Sequence, residues 1–204
     1  YLAGRVTKTG TVAVIVAEDQ PLWNMIIGGF AEGLKASNGS ARLNYIVLEG
    51  DDIDDAAKKA ANEQLENGAD IIFGLAEGNA AKRMLDAVRD YRDDHDDAAA
   101  WYIDVVGDRH EYGGEALLTS VLYDFAPTYR QMIVDIESRT FGKTYTMDAH
   151  NGGVRLLEFP DNVPSDAVQA LAPIQQSVTD GQLTVEAIPD AEGVRSKLEE
   201  LGYR

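Results

Sequence analysis

TVAVIVAEDQPLWNMIIGGFAEG, residues 11–33, opens with an apolar run, passes through a polar break and ends in a helical pattern. The run at 12–17 is too short for a helix and rich in β-branched residues, which suits a strand buried on both faces at the centre of a parallel sheet. Glu18-Asp19-Gln20-Pro21 stops that strand. Pro21 fits the first turn of a helix that carries Trp23, Ile26, Ile27, Phe30 and Leu34 at helical spacing. Strand, short turn and helix make half of a βαβ unit. Ligands of open α/β sheets settle at the carboxyl ends of such strands, so the turn at 18–23 is the first place to look for a site.

Outward from this unit the pattern repeats. A second strand is predicted at 42–49 and a helix at 51–67, capped by Asp51 or Asp52 and ended by Gly68. A third strand, 69–75, runs into the turn Ala76-Glu77-Gly78-Asn79, and a helix at 80–92 turns Met84, Leu85 and Val88 inward. After the polar stretch Asp93-Asp94-His95-Asp96-Asp97, strands are predicted at 98–106 and 116–122, with a Gly-rich loop at 107–114 between them. Pro127 opens a helix to about 138. Strands alternating with helices predict an α/β fold with a right-handed, doubly wound, mostly parallel sheet. The regularity then stops: a β excursion is expected at about 140–159, with strands at 144–147 and 153–159. A helix at 165–178, a strand or extended segment at 183–188 and a helix at 190–201 complete the chain. Residues 1–181 read as one Rossmann-like ligand-binding lobe and 182–204 as a crossover strand and helix. Met25, Met84 and Met132 are placed in the core by their helical positions.

With 204 residues and 45% hydrophobic content, the chain has enough apolar side chain for a full core. The 35 acidic residues against 18 basic ones give a formal charge of −17, which repels phosphate backbones and makes nucleic acid a poor partner. Absence of cysteine removes disulfides, thiolate nucleophiles and cysteine zinc sites. No run approaches the roughly 20 apolar residues of a membrane helix, and no signal segment opens the chain. It begins at Tyr1 without a Met, as a soluble and processed or trimmed product would.

Phosphate cradles are missing: no G-x-G-x-x-G follows the first strand, and an acidic turn stands where a pyrophosphate would sit. No cofactor is expected. His95 among four aspartates reads as a solvated charge run rather than a divalent-cation site. His110 and His150 have no Ser or Cys motif beside them, so no catalytic set is assigned.

The strand-end loops supply the binding candidates. Glu18 and Gln20, Glu49, Asp51 and Asp52, Gly78 and Asp124 lie there, and the choice falls on Asp19, Trp23, Glu77, Asn79, Asp104, Asp108 and Tyr123. Such a rim accepts hydrogen bonds from sugar hydroxyls or amines, while Trp23 or Tyr123 stacks on a planar ring. The plainer reading makes the same residues helix caps and solvated charges.

Several stretches, in order over nearly the whole chain, resemble the Bmp (basic membrane protein) family of ABC-transporter substrate-binding lipoproteins, which includes purine-nucleoside receptors. They are Tyr1-Leu2-Ala3-Gly4, Lys8-Thr9-Gly10-Thr11-Val12, Gly29-Phe30-Ala31-Glu32-Gly33, Asn67-Gly68-Ala69-Asp70-Ile71-Ile72-Phe73, Ile103-Asp104, Leu118-Thr119-Ser120, Asn151-Gly152-Gly153-Val154 and Val163-Pro164. The resemblance implies a type I periplasmic-binding-protein fold, in which two α/β lobes close on a ligand. This chain would be the second lobe with its crossing segments, the first lobe being absent. It also implies a non-enzymatic, extracytoplasmic, cell-surface lipoprotein that passes a small polar solute, nucleoside-like in the family, to an ABC permease.

Carried over residue by residue, the family's ligand-binding aspartates fall on Asp104 and Asp108. The family's Lys after the Thr-Ser pair is replaced by Tyr123, its Gly-Gly after the first strand by Ala17-Glu18, its Phe four residues before Phe30 by Ile26, and its Gly-Gly-Thr-Gly turn by Glu77-Gly78-Asn79-Ala80. Two rival readings remain open: a ligand-sensing regulatory module on the same scaffold, and a small α/β enzyme with Asp104 or Glu77 as a base. Pairing of two such lobes as a homodimer is a further expectation.

Overall fold

The structure is a computed structural model and describes residues 1–95 and 99–203. Strand β1 (Thr11–Val16) is buried at every position, as an unbroken β-branched run between two layers of helices requires. It pairs in parallel with β2 (Arg42–Val47) on one side and β3 (Ile71–Leu75) on the other. Strands β4 (Trp101–Val106) and β5 (Leu117–Tyr123) continue the parallel run, and the short β6 (Val154–Leu156) joins β5 antiparallel. The sheet order is therefore β2-β1-β3-β4-β5-β6.

Alternation along β1 sorts the helices. Val12, Val14 and Val16 face the layer of α1 (Leu2–Val6), α2 (Pro21–Ser37), α7 (Ser165–Thr179) and α8 (Ala191–Glu200). Ala13 and Ile15 face α3 (Ile53–Glu66) and α4 (Gly78–Asp94). Between β4 and β5 the Gly-rich stretch contains a single helical turn, α5 (His110–Gly113), and a 3-10 turn, Gly114–Ala116. Helix α6 (Ala126–Glu137) follows β5. No helix among the described residues is long and apolar enough to cross a membrane.

Most predicted elements appear within a few residues of their expected bounds, with Pro21 in the first turn of α2 and Asp52 capping α3 through the Asp55 N–H at 3.1 Å. Four expectations need correction or qualification. Residues 144–147 form no strand, and of 153–159 only Val154–Leu156 does. Residues 183–188 are not a strand but a segment laid over α2, where Gly28 and Gly29 make room for it; a Cβ at Gly28 would meet Ile188 at 2.6 Å and one at Gly29 would meet Val185 at 2.8 Å. Met84 is fully buried, whereas Met25 is 40% exposed because it lies off the Trp23–Ile27–Leu34 stripe of α2, and Met132 is half-buried. Ala98, Asp96 and Asp97, which belong to the predicted fourth strand and the acidic stretch, lie outside the described residues.

Two aspartates hold irregular segments in place. Asp70, at the mouth of β3, accepts hydrogen bonds from the Thr7 hydroxyl (2.6 Å) and from the Lys8 and Thr9 N–H groups (2.6 and 3.0 Å). The turn after α1 is thereby closed onto the start of the sheet, which accounts for Lys8-Thr9-Gly10 and Gly68-Ala69-Asp70 occurring together. Asp135, buried on α6, receives Gln131, Tyr145 and Lys143 at 3.0, 2.7 and 2.8 Å. This cluster pins residues 140–145 against α6, where they satisfy a carboxylate instead of joining the sheet. Hydrogen bonds from Lys143 and Tyr145 lower the Asp135 carboxyl to about 2, and burial together with Asp135 raises Tyr145 to about 12.

Replacing Asp70 with Ala should lower stability by about 2–3 kcal/mol, the range for charge-assisted bonds that leave orphaned donors, read as a shift of the urea midpoint at unchanged slope. The Asp135 carboxyl is depressed in the folded state, so its contribution is present above about pH 4 and disappears as pH falls toward about 2. The urea midpoint should drop across that window, and Asp135→Asn should flatten the drop.

Candidate ligand-binding rim

Parallel pairing brings the carboxyl ends of β1 to β5 to one edge of the sheet. Helix α2 leaves β1 on one face while α4 leaves β3 on the other, so the connections diverge between β1 and β3 and open a crevice there. Residues 17–20 follow β1 and the start of α4 follows β3, on either side of that point. The edge is open: Asp19, Glu77, Asn79 and Asp108 are all exposed. Clefts of about 620 and 610 Å³ lie elsewhere, one lined by Lys58, Asp90 and His95, the other by His110, Glu115 and Phe159.

Structure divides the seven candidates. Asp19 stands at the mouth of β1 and accepts a hydrogen bond from the Asn24 amide at 2.9 Å. Trp23 is not a rim residue: it is 1% exposed and packed with Ile27, Ala31 and Leu34 against β1, because its place in the helical repeat turns the indole into the core. Tyr123, at the end of β5, lies half-buried on that same face of the sheet, and burial raises its hydroxyl pKa. Glu77 takes the N-cap position of α4 without a capping bond, and the Asn79 amide donates to Asp54 of α3 at 2.6 Å. Asp108 accepts from the His110 N–H at 2.8 Å.

Asp104 is also displaced from the role expected of it. Its side chain is fully buried on the α3–α4 face, where Arg109 Nε donates to Oδ2 at 2.5 Å and the Tyr102 hydroxyl to Oδ1 at 3.4 Å. Burial raises its pKa and the Arg109 charge opposes the rise; burial likewise drives Tyr102 well above its usual value. With both oxygens engaged, Asp104 presents no free acceptor to a solute and no base to a reacting proton.

The group that reaches the surface there is Arg109, a quarter exposed, with Nη2 near the Gly78 carbonyl at 3.5 Å. The backbone is bent to put it there. Gly107 N–H donates to the Val105 carbonyl at 3.0 Å across Val106, a β-branched residue at φ 77°, and the Ser120 hydroxyl secures the Gly107 carbonyl at 2.7 Å. A γ-turn of this hand is rare and strained. Sequence reading passed over Arg109, although it is the sole Lys or Arg between Arg92 and Arg130 and follows the strand-ending aspartate by five residues.

Chemically, the rim offers carboxylates, the Asn79 amide already tied to α3, and the Arg109 guanidinium, with Arg155 paired to Asp124 at 3.8 Å beyond the end of β5. Among the described residues no group of three or more His, Asp or Glu is arranged to hold a metal ion. The His95 imidazole stacks on Tyr91, with Nδ1 2.9 Å from the Tyr91 carbonyl.

Residues 1–188 match the Bmp family, described as PnrA-like ABC transporter substrate-binding proteins. The chain belongs to the Bmp family. Its relatives include the transcriptional activator protein med of Bacillus subtilis (strain 168), 23% identical over 171 residues that make up 83% of this chain and 50% of that protein. Among solved structures, an ABC transporter system solute-binding protein from Aeropyrum pernix K1 superposes with a TM-score of 0.80 at 16% identity, covering 98% of this chain and 67% of the other. A transcriptional activator of the comK gene from Bacillus halodurans gives 0.70 at 23% identity, covering 90% and 62%. The Bmp chain thus spans half the length of the relative from Bacillus subtilis, and its sheet and helices are those of a periplasmic-binding-protein-like fold.

Removing Arg109 from the Bmp chain would strand a buried carboxylate. Arg109→Ala should cost about 3 kcal/mol at pH 7. A carboxyl whose folded pKa lies above its unfolded value destabilises the fold once ionised and ceases to do so when protonated, so the loss should shrink as pH falls through that raised folded-state value. Urea unfolding at pH 7 and pH 4.5 checks this, and the double variant Asp104→Asn/Arg109→Ala should show no such pH dependence.

Proposed function

We propose that the Bmp chain is one lobe of a non-enzymatic, two-lobed solute-binding protein that captures a small polar solute at the carboxyl rim of its sheet and delivers it to an ABC permease outside the cytoplasmic membrane. The observation that carries this reading is the rim itself. Five parallel strands end on one edge, and this reading takes Asp19, Glu77, Asn79, Asp108 and Tyr123, which follow or close those strands, as its lining residues.

Support for a second lobe comes from α6. Phe125, Tyr129, Ile133 and Ile136 recur at helical spacing on its outer side and are exposed, as is Phe141, while the polar Asp135 is buried beneath. An amphipathic helix with its apolar stripe outward needs a covering surface. The length that the Bmp chain lacks relative to the proteins it matches is the occupant this reading assigns. A homodimer of this chain is the other outcome of the test, which is solution scattering of the complete gene product: a compact two-lobed monomer supports the proposal, and pairing through α6 replaces it.

A nucleoside is one candidate ligand, although Trp23 is buried in the core and Tyr123, at the end of β5, is the candidate ring that remains partly exposed. A regulatory reading is favoured by one observation, the similarity to two proteins named as transcriptional activators. In that case the same rim senses a solute inside the cell and no permease is involved.

A thermal-shift screen of nucleosides, sugars and amino acids on the complete gene product should find at least one stabiliser. A solute at a hundred times its Kd adds about 2.7 kcal/mol. No stabiliser across the panel would remove both the transport and the sensing readings. Capture of the solute-loaded protein by a permease, rather than by a transcription complex, separates the two.

A further inference from the structure

We infer that Arg109 is the specificity-determining group of this rim and that it takes the carboxylate of a zwitterionic, amino-acid-like solute whose ammonium group lies against Glu77 and Asp108. The inference rests on the reading of the rim as a solute site and names the class of solute.

Three observations lead there. Arg109 is oriented from beneath by a carboxylate that has no exposure of its own: Nε is committed to Asp104, Nη2 makes one long contact with the Gly78 carbonyl, and Nη1 has no partner among the described residues. A guanidinium fixed through Nε keeps its terminal N–H groups, which suit the planar geometry of a carboxylate better than an ammonium would. Secondly, the backbone strain at Val106 lies immediately ahead of this arginine, at the end of β4, where a parallel sheet places ligands.

The third is charge. Glu77 adjoins the residue whose carbonyl meets Arg109, and Asp108 precedes Arg109 in the chain; both are exposed. A dianionic phosphate arriving at Arg109 would meet this pair of carboxylates and be repelled. A neutral sugar would leave the guanidinium and both acids without a charged partner. A zwitterion satisfies all three, carboxylate to Arg109 and ammonium to the acids.

Isothermal titration of the complete gene product with amino acids, their carboxamides, their amine-free acids, nucleosides, sugars and inorganic phosphate tests the assignment. At least one amino acid should bind, with its carboxamide and its amine-free acid each weaker by tenfold or more. Arg109→Lys, which keeps the charge over Asp104, should weaken the amino acid at least tenfold while the circular dichroism spectrum is unchanged, and Asp108→Asn should weaken the amino acid but not its amine-free acid. Binding of a nucleoside or sugar with no amino acid response would overturn this inference and leave the solute-capture reading standing. So would amino acid binding that is indifferent to Arg109→Lys. A flat response to every probe removes both.

Discussion

Parallel hydrogen bonding of β1 to a strand on each side governs the rest of the molecule. A strand paired in this way has no edge, and with helices over both faces it must be apolar throughout, which Val12 to Val16 satisfy. It also forces the connections from β1 and β3 onto opposite faces, and that divergence creates the crevice at the rim. Asp70 locks the arrangement at the opposite edge of the sheet. Its side chain closes the turn at Thr7–Thr9, its N–H donates to the Thr11 carbonyl at 3.1 Å, and its carbonyl accepts from Trp101 at 2.9 Å. One residue thereby aligns β1, β3 and β4 with the chain that leads into them.

Regular parts of this fold were legible because their signals are local. The apolar runs of β1 and β3, Pro21 in the first turn of α2 and the Asp52 cap all act within a few residues of themselves. What escaped sequence reading depends on partners distant in the chain. Trp23 satisfies both a helical core stripe and a place beside a rim, and only packing against β1 decides between them. Residues 144–147 have strand-like composition, yet Tyr145 and Lys143 are drawn to Asp135. Pro127 marks the start of α6 and Met132 reads as its inward position; the inward face is instead centred on Asp135, since an aspartate that gathers a lysine, a tyrosine and a glutamine outcompetes the usual apolar choice.

Three buried aspartates illustrate how a chain of charge −17 keeps carboxylates inside. Asp70 is met by backbone N–H groups and a hydroxyl, Asp135 by a lysine, a tyrosine and an amide, and Asp104 by a single guanidinium and a long tyrosine contact. The first two hold irregular segments onto the regular scaffold. Asp104 differs because the segment it secures carries Arg109 to the rim, and because burial outweighs its partner in setting its pKa.

That difference bears on why the pair is there. A buried ion pair is often no more stabilising than apolar side chains of the same volume, and a strained residue such as Val106 adds a cost of about 1–3 kcal/mol. Stability alone would favour an aliphatic pair and a relaxed turn between β4 and α5. The strain and the desolvated carboxylate act together in one respect: they fix a guanidinium at the carboxyl edge of the sheet with two of its nitrogens turned away from Asp104. Gly74 belongs to the same device, since any side chain there would collide with the Tyr102 hydroxyl that completes the Asp104 site. Four positions on two neighbouring strands and the loop between β4 and α5 are therefore committed to aiming the Arg109 charge at the edge where Glu77 and Asp108 lie.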